Sequence, residues 1–148
     1  MAPILAAIRR FKARMEAGDT MLGLTIIMND LRITEAVAAT GLTDFFWLDL
    51  EHTPMSPEML TAHLAIGRAH GVPNIVRVSG PDHMFIKWVL DAGADGIIVP
   101  QVNSAEEARQ VVANCRYAPA GVRGIGPMIP TRYGQHDMKE YTVSEPDQ

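Results

Sequence analysis

The chain has 148 residues, 47% hydrophobic and 20% charged, which is enough apolar mass for a packed core. Its formal net charge of -4 argues against a nucleic-acid partner, which favours a basic face, but leaves room for an anionic small molecule held by one or two local cations. The single cysteine, Cys115, cannot form an internal disulfide and fits a reducing, cytoplasmic setting, and no apolar run reaches the roughly 18–20 residues of a membrane span.

Arg9, Arg10, Lys12 and Arg14 precede the first acid, Glu16, a bias that a transit peptide would share. Ile4, Ile8, Phe11 and Met15 nevertheless recur at helical spacing, so an amphipathic helix over about 1–17 is the better reading. Met21 to Met28 is short, apolar and partly β-branched, which predicts a buried strand. Asn29-Asp30 makes a turn and a cap. Leu31 to Thr40 reads as a helix with Ile33, Ala36, Val37 and Ala39 available for packing, stopped by Gly41. Phe45-Phe46-Trp47-Leu48 is the second strand and runs into Asp49-Leu50-Glu51-His52.

Ser56 is an N-cap and Pro57 suits the first helical position of a helix that runs to about His70 and ends at Gly71. Asn74 to Val78 is the third strand. Pro81-Asp82 opens a helix carrying Met84, Ile86, Trp88, Val89 and Leu90, ending at Gly93. Gly96 to Pro100 is the fourth strand, and Ser104 caps a helix through about Cys115 with Glu106 and Glu107 in its first turn. Prolines and glycines crowd residues 119–134, which predicts a long loop, and Tyr141 to Gln148 has no periodicity and is expected to fray.

The expected organisation is a single α/β domain over 1–148: a helix over about 1–17, four βα units over 20–116, then loop and tail over 117–148. Alternation of strand and helix implies a parallel sheet with right-handed crossovers. A small doubly wound sheet and half of an eight-stranded barrel both fit the pattern, and topology alone leaves both open. In either, functional groups gather at the carboxyl ends of the strands. The second strand ends in Asp49, Glu51 and His52, the third near Arg77, and the fourth in Pro100-Gln101 and Asn103.

An imidazole beside a carboxylate can have its tautomer fixed and its basicity raised, so Asp49-x-x-His52 suggests general-base work; a solvated polar rim is the plain alternative. Arg77, embedded in an apolar strand, is costly unless paired or bound to an anion. It reads either as a carboxylate clamp or as an internal ion pair with Glu51 or Asp49. Gly121 to Gly126 follows a helix instead of a strand, which suits a mobile rim loop better than a phosphate cradle. The scattered His63, His70, His83 and His136 receive no role, and Trp47 and Trp88 read as core or interface residues.

At this point a resemblance emerges. Phe46-Trp47-Leu48-Asp49-Leu50-Glu51-His52-Thr53-Pro54 resembles the I-D-x-E-H-x-P segment of the HpcH/HpaI aldolase and citrate lyase family. Val76-Arg77-Val78 resembles its V-R strand, Ile86 to Ala94 its I-K-x-x-L-D-x-G-A helix end, and Gly96 to Val102 its G-[IV]-[IL]-[VI]-P-x-V strand. Arg116 to Gly126 is similar to its R-Y-x-P-x-G-x-R-G-x-G run. The segments occur in the family's order and cover nearly the whole chain.

The resemblance implies the N-terminal helix and first four βα units of a (β/α)8 barrel, in proteins that assemble as homo-oligomers, usually hexamers. It implies a class II pyruvate aldolase: a carbon–carbon lyase that converts a 4-hydroxy-2-oxo acid to pyruvate and an aldehyde, or the reverse, with a divalent ion such as Mg2+, Mn2+ or Co2+ stabilising the enolate. His52 with Asp49 would act as the base system through a bound water, Arg77 would bind pyruvate, and Asp91 matches a residue that reaches a neighbouring subunit's site. Leu50 stands where many members have glycine. The family's metal ligands lie in V-Q-I-E and G-x-x-D-L segments that this sequence does not contain, so no residue here is assigned to a metal. The chain alone is accordingly expected to be inactive. A non-catalytic half-barrel that serves assembly or interaction is the competing expectation, with a citrate-lyase-like enzyme acting on a CoA thioester behind it.

Overall fold

A computed structural model describes residues 3–144, leaving out the side chains of residues 3, 4, 140, 143 and 144. The elements are α1 (Pro3–Glu16), β1 (Gly23–Ile26), α2 (Leu31–Thr40), β2 (Phe45–Asp49), α3 (Pro57–His70), β3 (Asn74–Arg77), α4 (His83–Asp91), β4 (Gly96–Ile98), α5 (Ala105–Cys115) and α6 (Met138–Ser144). The helix starts follow from local chemistry. The side chains of Asp30, Ser56, Asp82 and Ser104 accept from backbone N–H groups in the first turns of α2, α3, α4 and α5. Each such cap contributes about 1 kcal/mol by satisfying a donor that has no intrahelical acceptor. Gly41 and Gly71 close α2 and α3 in the left-handed conformation, at φ 66° and 69°. No helix among the described residues is long and apolar enough to cross a membrane.

The four strands are all parallel and ordered β1-β2-β3-β4. A doubly wound sheet reverses direction at a switch point, whereas sequential order is what a barrel requires. Register places Thr25 opposite Trp47, Trp47 opposite Ile75, and Asp49 opposite Arg77. Since side chains alternate, Phe45, Trp47 and Asp49 share one face with Ile75 and Arg77. The other face holds Phe46, Leu48 and Val76, which are fully buried together with Leu60 and Leu64 of α3 and Ile86 and Val89 of α4. The core therefore lies between sheet and helices, and the opposite face of the sheet is only partly covered.

Several sequence expectations change. The first strand is shorter than Met21–Met28 and is mostly exposed: three of its four residues face solvent, because among the described residues it is the outer strand of the sheet and pairs only with β2. In α2 the buried residues are Thr34 and Ala38, while Ile33 faces solvent; propensity located the helix but not its rotation. Met84 of α4 is likewise exposed. The segment after α5 is anchored, not a mobile rim. Arg123 within it is buried, its Nη2 donates to Asp91 Oδ1 at 2.7 Å, and its guanidinium stacks 4.6 Å above the Tyr117 ring. Residues 138–144 form α6 instead of fraying, and the remainder of the expected frayed tail, 145–148, lies outside the described residues. On α1, Ala7 is buried and Phe11 meets Phe45 edge-on at 5.5 Å; Ile4 lies outside the described side chains.

Candidate functional site

The polar cluster at the carboxyl ends of β2 and β3 is built on two residues held in register. Asp49 closes β2 and is 3% exposed. Its Oδ1 accepts from the backbone N–H of Glu51 at 2.9 Å and of His52 at 3.3 Å, which folds the chain over as it leaves the strand. The same carboxylate takes a two-pronged bond from Arg77: Nε to Oδ1 at 2.9 Å and Nη2 to Oδ2 at 2.7 Å. This fork holds the guanidinium in one orientation and is the strong form of the interaction. The Arg77 bonds are the main cause that keeps the Asp49 carboxyl down at about 2, with the two backbone donors adding to it against the opposing effect of burial.

Two further groups complete the surroundings of Arg77. Glu51 Oε2 lies 3.3 Å from Arg77 Nη1, and the indole of Trp47 lies under the guanidinium at 5.3 Å. Glu51 Oε2 is also 3.5 Å from His52 Nε2, and the imidazole is 70% exposed. The sequence-derived trio of Asp49, His52 and Arg77 is thus brought to one mouth, but the pairing differs from the sequence reading. Asp49 serves Arg77 and the backbone of residue 52, while the carboxylate beside the His52 ring is Glu51. The sequence reading placed Glu51 at the strand end as an ion-pair partner for Arg77 and took Trp47 as a core or interface residue. The signal for both was the period-two alternation of β2, which puts Trp47 on the face of Asp49.

The polar residues after β4 are turned to another use. Asn103 Nδ2 donates to the Gln101 carbonyl at 2.7 Å, and Asn103 N–H donates to Glu107 Oε2 at 2.7 Å, so they organise the start of α5. Asp91 stands at the carboxyl end of α4, hence at the end of the sheet opposite Arg77, where it pairs with Arg123 and lies 3.5 Å from Lys87 Nζ. The carboxylates at the mouth do not fit a divalent-ion centre, because Asp49 spends both oxygens on Arg77. Among the described residues no three His, Cys, Asp or Glu side chains converge to hold a metal.

A family model described as HpcH/HpaI aldolase/citrate lyase matches residues 25–144. A hydroxypyruvate/pyruvate aldolase of Roseovarius nubinhibens is 36% identical over 143 residues, covering 97% of this chain and 55% of the relative. A 4-hydroxy-2-oxovalerate aldolase of Rhodococcus jostii is 36% identical over 130 residues, covering 87% of this chain and 50% of the relative. The crystal structure of an HpcH/HpaI aldolase from Desulfitobacterium hafniense superposes with a TM-score of 0.80 at 28% identity, over 90% of this chain and 51% of that one. The chain spans about half the length of the relatives it matches.

Proposed function

The chain belongs to the HpcH/HpaI aldolase/citrate lyase family, and from that premise we propose that its polar mouth is one part of a site that makes or breaks the carbon–carbon bond of a 4-hydroxy-2-oxo acid, with pyruvate and an aldehyde as the other side of the reaction. The observation that carries this reading is the Asp49–Arg77 fork, which presents a fixed cation at the carboxyl ends of two parallel strands with an exposed imidazole beside it.

In the cleavage direction, His52 accepts the proton of the substrate hydroxyl. The bond between the hydroxyl-bearing carbon and the carbon next to the keto group then breaks, the hydroxyl-bearing carbon leaves as the aldehyde, and the electron pair passes to the enolate of pyruvate. Arg77, with two donors committed to Asp49, keeps further N–H groups for the keto-acid oxygens and meets the developing negative charge without reorienting. Asp49 and Glu51 position that guanidinium, and Glu51 stands beside His52. The family is generally metal-dependent, but among the described residues no three His, Cys, Asp or Glu side chains converge to hold an ion, so no step here is assigned to one. Asp91 is kept as a residue serving a neighbouring copy, since it lies at the far end of its own sheet. We place the protein in the cytoplasm as a homo-oligomer, in keeping with a lone, partly buried Cys115 whose thiol is pushed up by burial. A non-catalytic half-barrel is the second reading, supported by the partly covered face of the sheet.

A chimera tests the catalytic reading: residues 1–148 fused to the carboxyl-terminal half of the Roseovarius nubinhibens relative, assayed for pyruvate release from a 4-hydroxy-2-oxo acid with added Mg2+ or Mn2+. The chimera is expected to release pyruvate and the isolated chain is not. His52→Ala and Arg77→Ala are each expected to lower kcat/KM by about 100-fold or more. A folded chimera without activity, or one indifferent to both substitutions, would contradict the proposal.

A further inference from the structure

The Asp49 fork stops Arg77 from swinging in its own plane, but a fork alone leaves the guanidinium free to tilt about the line of its two bonds. Trp47 closes that freedom. It stands one inward position before Asp49 on β2, between Thr25 of β1 and Ile75 of β3 in register, and the centre of its ring lies 5.3 Å from Arg77 Cζ. An aromatic face attracts a guanidinium within about 6 Å, and indole does so more strongly than the rings of tyrosine or phenylalanine. The choice of tryptophan carries a cost. Its Nε1–H is shut off from solvent, and none of the described residues accepts from it. An atom so enclosed stays enclosed whatever adjoins the outer strands. A buried donor without an acceptor destabilises the folded chain, and leucine or phenylalanine would line the same face without one. Filling of the core therefore does not account for an indole at this position; a cation resting on its face does.

We propose that Trp47 is a positioning residue: its indole face fixes the tilt of the Arg77 guanidinium as the Asp49 fork fixes its swing, so that the cation meets a flat anion edge-on. The inference rests on the reading of Arg77 as the cation for the keto acid. The remaining donors give the ligand class. Nε and one hydrogen of Nη2 go to Asp49, and Glu51, 3.3 Å from Nη1, takes at most one more. One N–H on Nη2 and at least one on Nη1 remain, in a plane now set both by the fork and by the ring. Coplanar donors match the coplanar oxygens of a 2-oxo acid and of the enolate derived from it, so one orientation of Arg77 serves both. A guanidinium free to tilt would lose part of that interaction to its own ordering at each encounter, and Trp47 does the ordering in advance.

The test follows the Arg77 side chain itself in the 148-residue chain by heteronuclear NMR, with Arg77→Lys identifying its Nε–H signal. Trp47→Leu is expected to speed exchange of that N–H with water by about 10-fold relative to the backbone amides of the buried Leu48 and Val76, and Trp47→Phe to hold it within about 3-fold of the parent. A side chain that merely fills space would change all three rates together. Trp47→Met is the second non-aromatic variant should Trp47→Leu fail to fold. An Nε–H rate that tracks the core amides in the non-aromatic variant overturns the proposal, as does one that rises as much in Trp47→Phe as in Trp47→Leu. So does folding of Trp47→Phe with neither non-aromatic variant folding, because packing would then explain the ring. In the chimera, Trp47→Leu is expected to lower kcat/KM by about 10-fold and Trp47→Phe by no more than about 3-fold, and kinetics indifferent to both in an active chimera also overturn the proposal. A parent chimera without activity contradicts the catalytic reading alone and leaves the exchange rates to decide the role of Trp47.

Discussion

At Arg77 a single side chain decides whether the polar mouth is a rim or a site. Its fork to Asp49 is nearly dry on the carboxylate side, so removing one partner leaves the other charged and unsatisfied. Asp49→Asn is expected to cost about 2–3 kcal/mol, read as a fall in the urea midpoint at neutral pH. Arg77→Lys keeps the charge but not the fork, and in the chimera it is expected to lose activity with little loss of fold. Two carboxylates give opposite pH signatures. Asp49, held at about 2 when folded against an unfolded value near 4, contributes stability that is present above about pH 4 and lost as pH falls towards 2. Asp95, pushed up to about 6 chiefly by desolvation beside the cavity, binds its proton more tightly when folded. Its contribution is present below about pH 4 and lost as pH rises through 6. Asp95→Asn is therefore expected to remove a decline in the urea midpoint between pH 4 and 6, and an unchanged profile would contradict that assignment.

The elements themselves rest on caps and on close approaches between layers. Ser56→Ala removes the acceptor for Met59 N–H and is expected to cost about 1 kcal/mol. Gly67 on α3 has a more specific reason. A Cβ there would run into the side-chain amide of Asn74 at the start of β3, a fully buried group whose Nδ2 donates to the Leu64 carbonyl at 3.3 Å. Gly67→Ala is expected to cost about 1–3 kcal/mol by pushing helix and strand apart. Gly80→Ala, which meets nothing within 4 Å, should stay within about 0.5 kcal/mol. Thermal or urea unfolding of the pair separates a packing requirement from the general cost of replacing glycine. Between α2 and α3, His63 is buried with Nδ1 2.9 Å from Thr34 Oγ1, a contact that helical periodicity alone does not reveal.

For the whole molecule, the packed side of the sheet carries the stability. The helix-facing side is as dry as a domain interior: Phe46, Leu48 and Val76 of the sheet are fully buried against Leu60 and Leu64 of α3 and Ile86 and Val89 of α4. Leu64→Ala removes apolar volume from the middle of that layer and is expected to cost about 2–5 kcal/mol, read as a fall in the urea midpoint. A midpoint that stays put would contradict this placing of the core.

The sequence by itself determined the order of the four strands and of α1 to α5, the caps at Asp30, Ser56 and Ser104, and the arrival of Asp49, His52 and Arg77 at the carboxyl ends of neighbouring strands. These depend on local periodicity, on short-range hydrogen bonding and on the chirality of βα crossovers, all of which act within a few tens of residues. Only the tertiary structure decided which carboxylate serves which cation, that Trp47 lies under Arg77, and that Arg123 buries itself against Asp91. Each of these is set by partners distant in the chain, brought together by strand register and helix packing, which no short stretch of sequence records about itself.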